Sequence, residues 1–360
     1  MIMHVITSFT GNGGAETMLA RLLRVSEDDR ILVVPLIGAS ERNRDLANNP
    51  RVSYIPLGAN SGLSIVGATM KLSRMIVIER PRVILCWMYH AMIVGTIAQR
   101  IGGSNTPVFW NVRQSLDDPK SLTRSTRLAL KLGQVLSGTP SGVIYNSKRA
   151  LELHSKYGYK NRNAIVIPNG FDIPKDVFMT AKVPRIFGIA GRFHPQKDHE
   201  TFFRAAAIVV RTNPEARFRA VGNGLTLRNP AVTQLLRKVG MPAASVDLCG
   251  ESTDMSSFYR SIDVLVLSSR TEGFPNVVAE AMSYGKPVIT TDVGDAATIV
   301  GNAGWVVPPR SPEFLASAIE CALKIQSKEY QDMAVCARQR IAKEYGLQAI
   351  WQQYKKFLEA

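Results

Sequence analysis

The sequence has few cysteines, no long apolar run and a shortage of acidic residues. Its four cysteines show no C-x-x-C spacing, which argues against a metal cluster and favours reduced thiols in a cytoplasmic protein. The most apolar stretch, residues 83–98, is interrupted by Tyr89 and His90 and predicts a buried strand followed by a helix. The opening MIMHVITSF lacks a basic segment, so we expect no signal peptide. These absences predict a soluble or peripheral protein.

The shortage of acidic residues leaves a formal net charge of +15. Residues 1–173 contain 21 Lys and Arg against 11 Asp and Glu, so most of the excess lies in the first half. A balance of this size predicts an anionic partner: nucleic acid, a phospholipid surface or a phosphorylated ligand. The charge alone does not choose among them.

Both halves of the chain alternate short β-rich runs with helical stretches. Seven strand candidates precede a Pro-rich segment at 167–185 and six follow it, and most are continuous apolar runs typical of parallel sheets covered on both faces. We therefore predict an α/β fold of two Rossmann-like domains facing across a cleft, with ligands beyond the carboxyl ends of the strands. The predicted domains are 1–170 and 171–345, followed by a C-terminal helix at 346–360 that could pack back on the first domain.

A glycine-rich segment, FTGNGGAET at 9–17, follows the first strand candidate. Gly13 and Gly14 permit close approach of the backbone to a ligand just before a helix begins, so the segment could cradle a phosphate. It is not a dinucleotide fingerprint, because Glu16 takes the sixth position of G-x-G-x-x-G and no acidic residue ends the second strand. A plain strand-to-helix turn remains an alternative.

Two cations follow the first strand of the second half, in GRFHPQKDHE. Arg192 could grip a phosphate through two hydrogen bonds, and Lys197 could add a mobile point charge. A solvated surface is the alternative for such a pair.

Two glutamates lie in the otherwise apolar stretch TEGFPNVVAEAM at 271–282. Pro275 suits the first turn of a helix, so Glu272 lies in the loop at the helix mouth, where backbone N–H groups also point. Glu280 lies inside the helix and needs hydrogen-bond donors such as hydroxyls. A buried glutamate paired with an arginine is the alternative.

A histidine, His90, stands in CWMYHA at the end of a first-half strand. Its position at the proposed cleft favours a part in the chemistry, and a structural histidine is the alternative.

Together these motifs resemble the retaining glycosyltransferases of family 4, which have the two-domain GT-B fold and include the bacterial surface-polysaccharide type. The evidence is GR-x4-K at 191–197, VGNG at 221–224, E-x7-E at 272–280 and the GWVVPP that follows. The resemblance is dense from about 185 to 310. It is looser over 1–170, although FTGNGGAET, WMYHA and PNGFD also look like the family.

The resemblance implies a role for each matching residue. Arg192 and Lys197 would bind the diphosphate of a UDP- or GDP-sugar. Glu272 would accept hydrogen bonds from hydroxyls of the donor sugar, Glu280 would hold the ribose, and His90 would stand close to the transferred sugar. The further donor-binding positions are Gly13, Gly14, Gly222, Gly273, Phe274, Pro275 and Asn276. Asp295 stands where the family usually has glycine, and no role is assigned to it.

The resemblance also implies a reaction. The second domain would hold the nucleotide-sugar, and the first would hold a glycan or lipid-linked saccharide acceptor for polysaccharide biosynthesis. A hexose would be transferred with retention, without a covalent enzyme intermediate, and the leaving phosphate would help to deprotonate the acceptor. The chain contains no D-x-D, which agrees with a transferase that needs no metal or other cofactor, because Arg192 and Lys197 would stabilise the leaving group.

Four cations recur through residues 117–136 at helical spacing. Lys120, Arg124, Arg127 and Lys131 would line one helical face, with leucines on another. Such a helix could lie on an anionic membrane, at the inner face of the cytoplasmic membrane, to reach a lipid-linked acceptor. An ordinary solvated face over a core stripe is equally open. We predict no nucleic-acid partner.

Three competing functions remain. A nucleotide-sugar hydrolase or epimerase would use a similar fold without a sugar acceptor, but the E-x7-E context argues against it. An oxidoreductase would need the missing dinucleotide fingerprint. A non-catalytic binding protein would not need all the matching residues intact.

Overall fold

The structure is a computed structural model that describes residues 1–11, 13–60, 62–177 and 183–359, without the side chains of residues 63 and 121. The chain divides into two compact units. Unit 1 is Met1–Gly170 with Leu347–Ala360, and unit 2 is Phe171–Gly346. The predicted linker at 167–185 spans this change of unit, and its residues 178–182 lie outside the described residues.

Strands and helices alternate along most of the described chain, except that β7 is followed directly by β8 and no strand separates the last three helices. The strands are β1 Ile2–Ile6, β2 Ile31–Pro35, β3 Val52–Tyr54, β4 Val83–Trp87, β5 Val108–Val112, β6 Gly142–Tyr145, β7 Ala164–Val166, β8 Ile186–Ala190, β9 Arg217–Val221, β10 Val246–Gly250, β11 Val264–Leu267, β12 Val288–Thr291 and β13 Gly304–Val307. The helices are α1 Gly14–Val25, α2 Glu41–Ala47, α3 Gly62–Glu79, α4 Met88–Ile101, α5 Arg124–Leu136, α6 Lys148–Tyr157, α7 His199–Thr212, α8 Pro230–Val239, α9 Met255–Ser261, α10 Asn276–Ser283, α11 Ala296–Val300, α12 Pro312–Lys324, α13 Ser327–Glu344 and α14 Leu347–Glu359.

Each unit is built on one parallel sheet. Unit 1 has seven strands in the order β3-β2-β1-β4-β5-β6-β7, and unit 2 has six in the order β10-β9-β8-β11-β12-β13. The first strand of each unit is central; Ile2, for example, pairs with Ile31 on one side and Val83 on the other. Such strands are covered on both faces, which explains their continuous apolar sequences. The prediction of two Rossmann-like α/β domains is confirmed, and the predicted seven and six strands are present among the described residues.

Helices cover both faces of the sheet in unit 1. Side chains of α3, α4 and α5, such as Leu72, Met92 and Leu130, belong to one buried cluster. The opposite face is covered by α1, α2 and α14, and the fully buried Trp351 of α14 is part of that second cluster. Helix α14 is therefore a structural part of unit 1, although it follows unit 2 in the chain.

The basic segment of unit 1 differs from its prediction. Lys120 lies in a 3₁₀ turn at Pro119–Ser121, and α5 begins only at Arg124 because the Thr123 hydroxyl caps it by accepting a hydrogen bond from the backbone N–H of Thr126, at 3.2 Å. The prediction that Lys120 lines the same helical face as the other three cations is therefore wrong.

The leucines of α5 also do not form a buried stripe against the core. Leu128 and Leu132 are exposed, whereas the buried side of the helix consists of Ala129, Leu130 and Gly133. Arg124, Arg127 and Lys131 are exposed beside the leucines. Within the described part of the chain, no helix combines the length and hydropathy needed to span a bilayer.

Candidate functional site

A group of paired charged side chains in unit 2 lies at the carboxyl edge of its sheet. Strand β8 ends at Ala190, and the loop after it forms a 3₁₀ turn at Pro195–Lys197 before α7 begins. Strand β11 ends at Leu267, and the loop after it leads to α10. Because both strands are central and parallel, these two loops emerge side by side.

Lys197 and Glu272 meet between these loops. The Lys197 Nζ lies 2.5 Å from Glu272 Oε1, and the Ser269 hydroxyl donates a hydrogen bond to the same oxygen at 2.7 Å. Glu272 is only 7% exposed, so its charge needs these donors to remain in place. The sequence prediction placed both residues in the site, and the structure brings them into direct contact.

Three further side chains hold the Lys197 loop against the Glu272 loop. The Ser268 hydroxyl donates to the carbonyl oxygens of Lys197 and Asp198, at 2.9 and 3.1 Å. The Gln196 side-chain amide donates to the carbonyl of Thr271 at 2.9 Å, and the Arg270 guanidinium pairs with Asp198 at 2.9 Å. Sequence reasoning missed these residues. The polar SSRT that follows an apolar strand was the only available signal.

The backbone at Glu272 is supported from behind by the segment that departs from the family pattern. Gly294 has φ +55°, and a Cβ atom there would lie 2.2 Å from the Glu272 carbonyl oxygen, so only glycine fits. The Asp295 N–H donates to the carbonyl of Gly273 at 3.1 Å. This hydrogen bond explains the backbone position of Asp295 without any contact with a ligand.

Glu280 lies on α10, which begins at Asn276 with Pro275 directly before it. The buried Tyr259 hydroxyl donates to Glu280 Oε2 at 2.8 Å, and Glu280 is half-buried. This contact supplies the hydroxyl donor that the sequence analysis required. Phe274 is buried in the core against Phe171, so this part of the loop is anchored.

Arg192 and Gly222 lie beside the same edge. The Arg192 side chain is exposed and has no hydrogen-bond or ion-pair partner among the described residues. Gly222 has φ +149°, and a Cβ atom there would overlap the Gly191 carbonyl oxygen at 2.1 Å. Packing against the protein's own backbone therefore accounts for this glycine, and its predicted contact with a donor stays a prediction.

The glycine-rich loop of unit 1 surrounds a carboxylate. Gly13 and Gly14 are exposed at the start of α1, and a Cβ atom on Gly13 would lie 2.5 Å from Glu16 Oε2. Glu16 lies in the first turn of α1, where its negative charge interacts favourably with the helix dipole. The predicted approach of Gly13 and Gly14 to a diphosphate stays a prediction, and residue 12 of this motif lies outside the described residues.

His90 lies in the first turn of α4, not at the end of the strand as expected. Helix α4 begins at Met88, immediately after β4, and this direct junction holds Met88 at φ +68°. Burial lowers the pKa of His90 below its ordinary value, and a hydrogen bond with the backbone of Ser125 raises that pKa by less. His90 is therefore neutral at neutral pH.

His90 lines a cavity of about 270 Å³ inside unit 1. The buried Thr7 hydroxyl oxygen has no hydrogen-bond partner among the described residues. The polar lining, which can both donate and accept hydrogen bonds, consists of Thr7, Ser8, Glu16, Tyr89, His90, Gln114 and Thr126. Apart from His90, sequence reasoning did not identify this set.

A half-buried arginine in unit 1, Arg113, explains part of the PNGFD motif. The Arg113 guanidinium donates to the carbonyl of Ile167 at 3.2 Å and to the side-chain oxygen of Asn169, and it lies over the Trp87 ring at 5.7 Å. Burial lowers the pKa of Arg113. The contact to Asn169 is structural and needs no ligand.

Among the described residues, no three His, Cys, Asp or Glu side chains are grouped as a metal site would require. The groups available for chemistry are the Lys197–Glu272 pair, the exposed Arg192, the Glu280–Tyr259 pair and the neutral His90.

The fold of the whole chain is the GT-B fold. A crystal structure of HepE from Anabaena, in complex with UDP and glucose, aligns with a TM-score of 0.81 over 100% of this chain and 99% of that chain, at 21% identity.

The chain belongs to the group 1 glycosyltransferases. Residues 12–175 match the family described as Glycosyltransferase Family 4, and residues 184–324 match the family described as Glycosyl transferases group 1. The family and fold predicted from the motifs are confirmed.

Two curated relatives show how far the similarity extends. The D-inositol 3-phosphate glycosyltransferase of Geodermatophilus obscurus is 31% identical over 219 residues, which is 53% of this chain and 47% of that protein. The capsular polysaccharide biosynthesis glycosyltransferase CapM of Staphylococcus aureus is 27% identical over 180 residues, 48% of this chain and 47% of that protein. The matches thus span about half the length of these relatives.

Proposed function

We propose that this chain is a glycosyltransferase that moves a hexose from a nucleoside-diphosphate sugar to a saccharide or lipid-linked saccharide. The observation that carries this proposal is the contact between Lys197 and Glu272 at the carboxyl edge of the unit 2 sheet. Both residues stand at the positions expected from the GR-x4-K and E-x7-E motifs of the family.

The chemistry of the pair fits a nucleotide-sugar. Departure of a nucleoside diphosphate builds negative charge on phosphate oxygens, which Lys197 and the exposed Arg192 would stabilise. The hydroxyls of the donor sugar are hydrogen-bond donors, which the Glu272 carboxylate would accept. Without a donor, Lys197 and Glu272 neutralise each other. A bound nucleotide-sugar would give Lys197 a negatively charged phosphate partner and Glu272 hydroxyl groups that donate hydrogen bonds.

Known proteins of this fold support a uridine donor. HepE, which shares the fold, has been crystallised with UDP and with UDP-glucose. We therefore expect a UDP-sugar first and a GDP-sugar second. Glu280 and Tyr259 would hold the ribose. Tyr259 donates one hydrogen bond to the Glu280 carboxylate, and the ribose hydroxyls could donate further hydrogen bonds to the same carboxylate.

The acceptor would be held by unit 1. The cavity beside His90 has hydroxyl, amide and imidazole groups suited to sugar hydroxyls and lacks the paired charges of unit 2. One relative is named for capsular polysaccharide biosynthesis and another for transfer to an inositol phosphate. A glycan or lipid-linked saccharide at the inner face of the cytoplasmic membrane is the acceptor class that we propose.

We further propose that transfer retains the anomeric configuration and needs no metal. Support for retention comes from the family motifs, and support for metal independence comes from the absence of D-x-D and the presence of two cations in its place. Activity should therefore persist in EDTA, and NMR of the product should show the anomeric configuration of the donor.

The test begins with a thermal-shift panel of UDP- and GDP-sugars on the purified chain. The sugar that stabilises the protein most is then used in transfer assays with saccharide acceptors. Glu272→Gln should reduce transfer by about 100-fold or more, because a charged acceptor of the donor hydroxyls is lost. Glu313→Gln, an exposed glutamate of unit 2, is the matched control and should keep full activity.

Three outcomes would overturn the proposal. A folded Glu272→Gln variant with full activity would contradict the role of that residue. Release of free sugar without dependence on any acceptor would favour a hydrolase, and conversion of the donor to its epimer would favour an epimerase.

A further inference from the structure

One face of unit 1 is covered by three helices that pack side by side in chain order. Helices α3, α4 and α5 contact one another in sequence, and their buried sides fill the same core cluster. Their outer sides therefore form one continuous surface, which we call the basic–apolar face. It lies outside the cavity at His90 and outside unit 2, so its role goes beyond the proposed transfer reaction.

The basic–apolar face exposes an unusual number of large apolar side chains. On the opposite face of the same sheet, α1, α2 and α14 expose none among the described residues, and unit 2 exposes four at scattered positions. Grouped exposure of this kind marks an interaction surface. The exposed residues of the face are Val66, Met70, Val77 and Ile78 on α3, Ile97 and Ile101 on α4, and Leu128, Leu132 and Val135 on α5.

The same three helices are strongly basic. They contain six Lys and Arg but one acidic residue, Glu79, which is already paired with Arg30 at 2.7 Å. None of the six cations forms an ion pair within the part of the chain that the structure describes, and all are exposed. They are Lys71, Arg74, Arg100, Arg124, Arg127 and Lys131.

Cations and apolar residues alternate along the helix surfaces. On α3, the helical spacing puts Arg74 between Met70 and Ile78 in one stripe. On α5, Lys131 lies between Leu128 and Val135 in a second stripe. Mixed stripes of this kind put the apolar groups at the depth of lipid headgroups and the long cationic side chains against lipid phosphates.

We propose that the basic–apolar face docks unit 1 on an anionic lipid bilayer. Charge complementarity favours this occupant, because six exposed cations without ion-pair partners are attracted to a surface rich in negative charge. Nucleic acid would match the cations and leave the valines, isoleucines and leucines unused. The face extends the membrane contact predicted for α5 alone, adds α3 and α4, and leaves out Lys120.

The test is flotation of the full chain with vesicles, without donor or acceptor. Vesicles of phosphatidylcholine alone are compared with vesicles containing about one third phosphatidylglycerol, at low salt and at roughly 0.5 M salt. We expect binding to the anionic vesicles at low salt, which weakens strongly at high salt. Binding that is absent from anionic vesicles, or equal on neutral ones, would overturn the proposal.

Paired substitutions locate the surface. Ile78→Ser combined with Val135→Ser removes the two most exposed apolar side chains of the face, 76% and 73% exposed, and should lower vesicle binding by on the order of 10-fold or more. The matched control is Leu227→Ser combined with Phe314→Ser in unit 2, where the side chains are 71% and 61% exposed. Equal losses in the two double variants would contradict the assignment.

A charge variant provides an independent measurement. Arg74→Gln combined with Lys131→Gln should lower binding about 25-fold, since each cation near an anionic surface contributes about 5-fold. Lys120→Gln should lower binding less than substitution of either cation of the face.

If the basic–apolar face were instead covered by a second copy, the chain would be a dimer in solution that Ile78→Ser dissociates. That result would also overturn the proposal. Transfer to a soluble acceptor should be unchanged in all these variants, so failure here is distinct from failure of the proposed activity.

Discussion

At the carboxyl edge of unit 2, ionised side chains hold one another. Lys197 contacts Glu272, and Arg270 contacts Asp198, so opposite charges are in place before any ligand arrives. The corresponding edge of unit 1 has a cavity lined by hydroxyls, an amide, the neutral His90 and one carboxylate, that of Glu16. Unit 1 instead exposes six cations on α3, α4 and α5, and none of them lines that cavity.

This difference separates two kinds of recognition. Preorganised charges suit a leaving group whose charge grows during the reaction, as in loss of a nucleoside diphosphate. Neutral polar groups suit an acceptor that is recognised by its hydroxyls. The family motifs are dense in the unit with the charges and sparse in the other, as expected if relatives share a type of donor and differ in acceptor.

The largest effect should follow from breaking the charge pair of unit 2. Lys197→Met should reduce kcat/KM by about 100-fold or more, because the variant loses the half-buried cation that would stabilise the leaving diphosphate. Lys238→Met is the matched control, since Lys238 also pairs with a glutamate, Glu200 at 3.0 Å, but at an exposed position. Steady-state kinetics of both variants would check this. Similar losses in the two would mean that the position of the pair is unimportant.

A smaller effect is expected at the neutral histidine of unit 1. His90→Ala should lower kcat by about 10- to 100-fold, if His90 stands close to the transferred sugar. Because burial lowers its pKa, the imidazole stays neutral above its ordinary pKa, and the rate should show no titration of His90 between about pH 7 and pH 8. A pH–rate profile of the wild type and the variant would check both points. A kcat unchanged in His90→Ala would remove the residue from the chemistry.

The ribose contact should affect binding more than rate. Glu280→Gln should raise the KM for the donor about 10-fold and change kcat little, because a charged hydrogen-bond acceptor becomes neutral. Tyr259→Phe, which removes only the donor to Glu280 Oε2, should have a weaker effect in the same direction. Kinetics with varied donor concentration separate the two parameters. A fall in kcat at constant KM would place Glu280 with the transition state instead.

The smallest effect compares the acid stability of the two units. Burial lowers the pKa of His4 to about 3 and that of His154 to about 4 in unit 1, and that of His199 to about 4 in unit 2. Each histidine is neutral when folded and gains a proton when unfolded below about pH 6.5. Folding stability therefore falls as pH falls, by about 1.4 kcal/mol per pH unit for each histidine.

Unit 1 holds two of these three histidines and should lose stability faster. Hydrogen exchange by mass spectrometry, corrected for intrinsic exchange rates, should show a larger loss of protection in unit 1 between about pH 7 and about pH 5.5. An equal or larger loss in unit 2 would contradict this account of the buried histidines.

The sequence allowed prediction of the strands, the two-domain fold and the charged residues of the site, because apolar runs and motif spacing are local signals. It did not predict Ser268 or Ser269, because their contacts with Lys197 and Glu272 depend on two loops meeting in the folded sheet. The prediction from helical periodicity was also wrong at Lys120, because Lys120 lies in a 3₁₀ turn and the Thr123 cap sets the start of α5 after it. His90 was misplaced because α4 follows β4 without a loop, a junction with no sequence signature.

The central claim is that Lys197 holds the diphosphate and Glu272 holds the donor sugar. Isothermal titration of the wild type, Lys197→Met and Glu272→Gln, each with UDP and with the best UDP-sugar, tests it most directly. We predict that Lys197→Met loses affinity for both ligands, whereas Glu272→Gln keeps its affinity for UDP and loses the additional affinity for the UDP-sugar. Wild-type affinity of both variants for both ligands would contradict the claim.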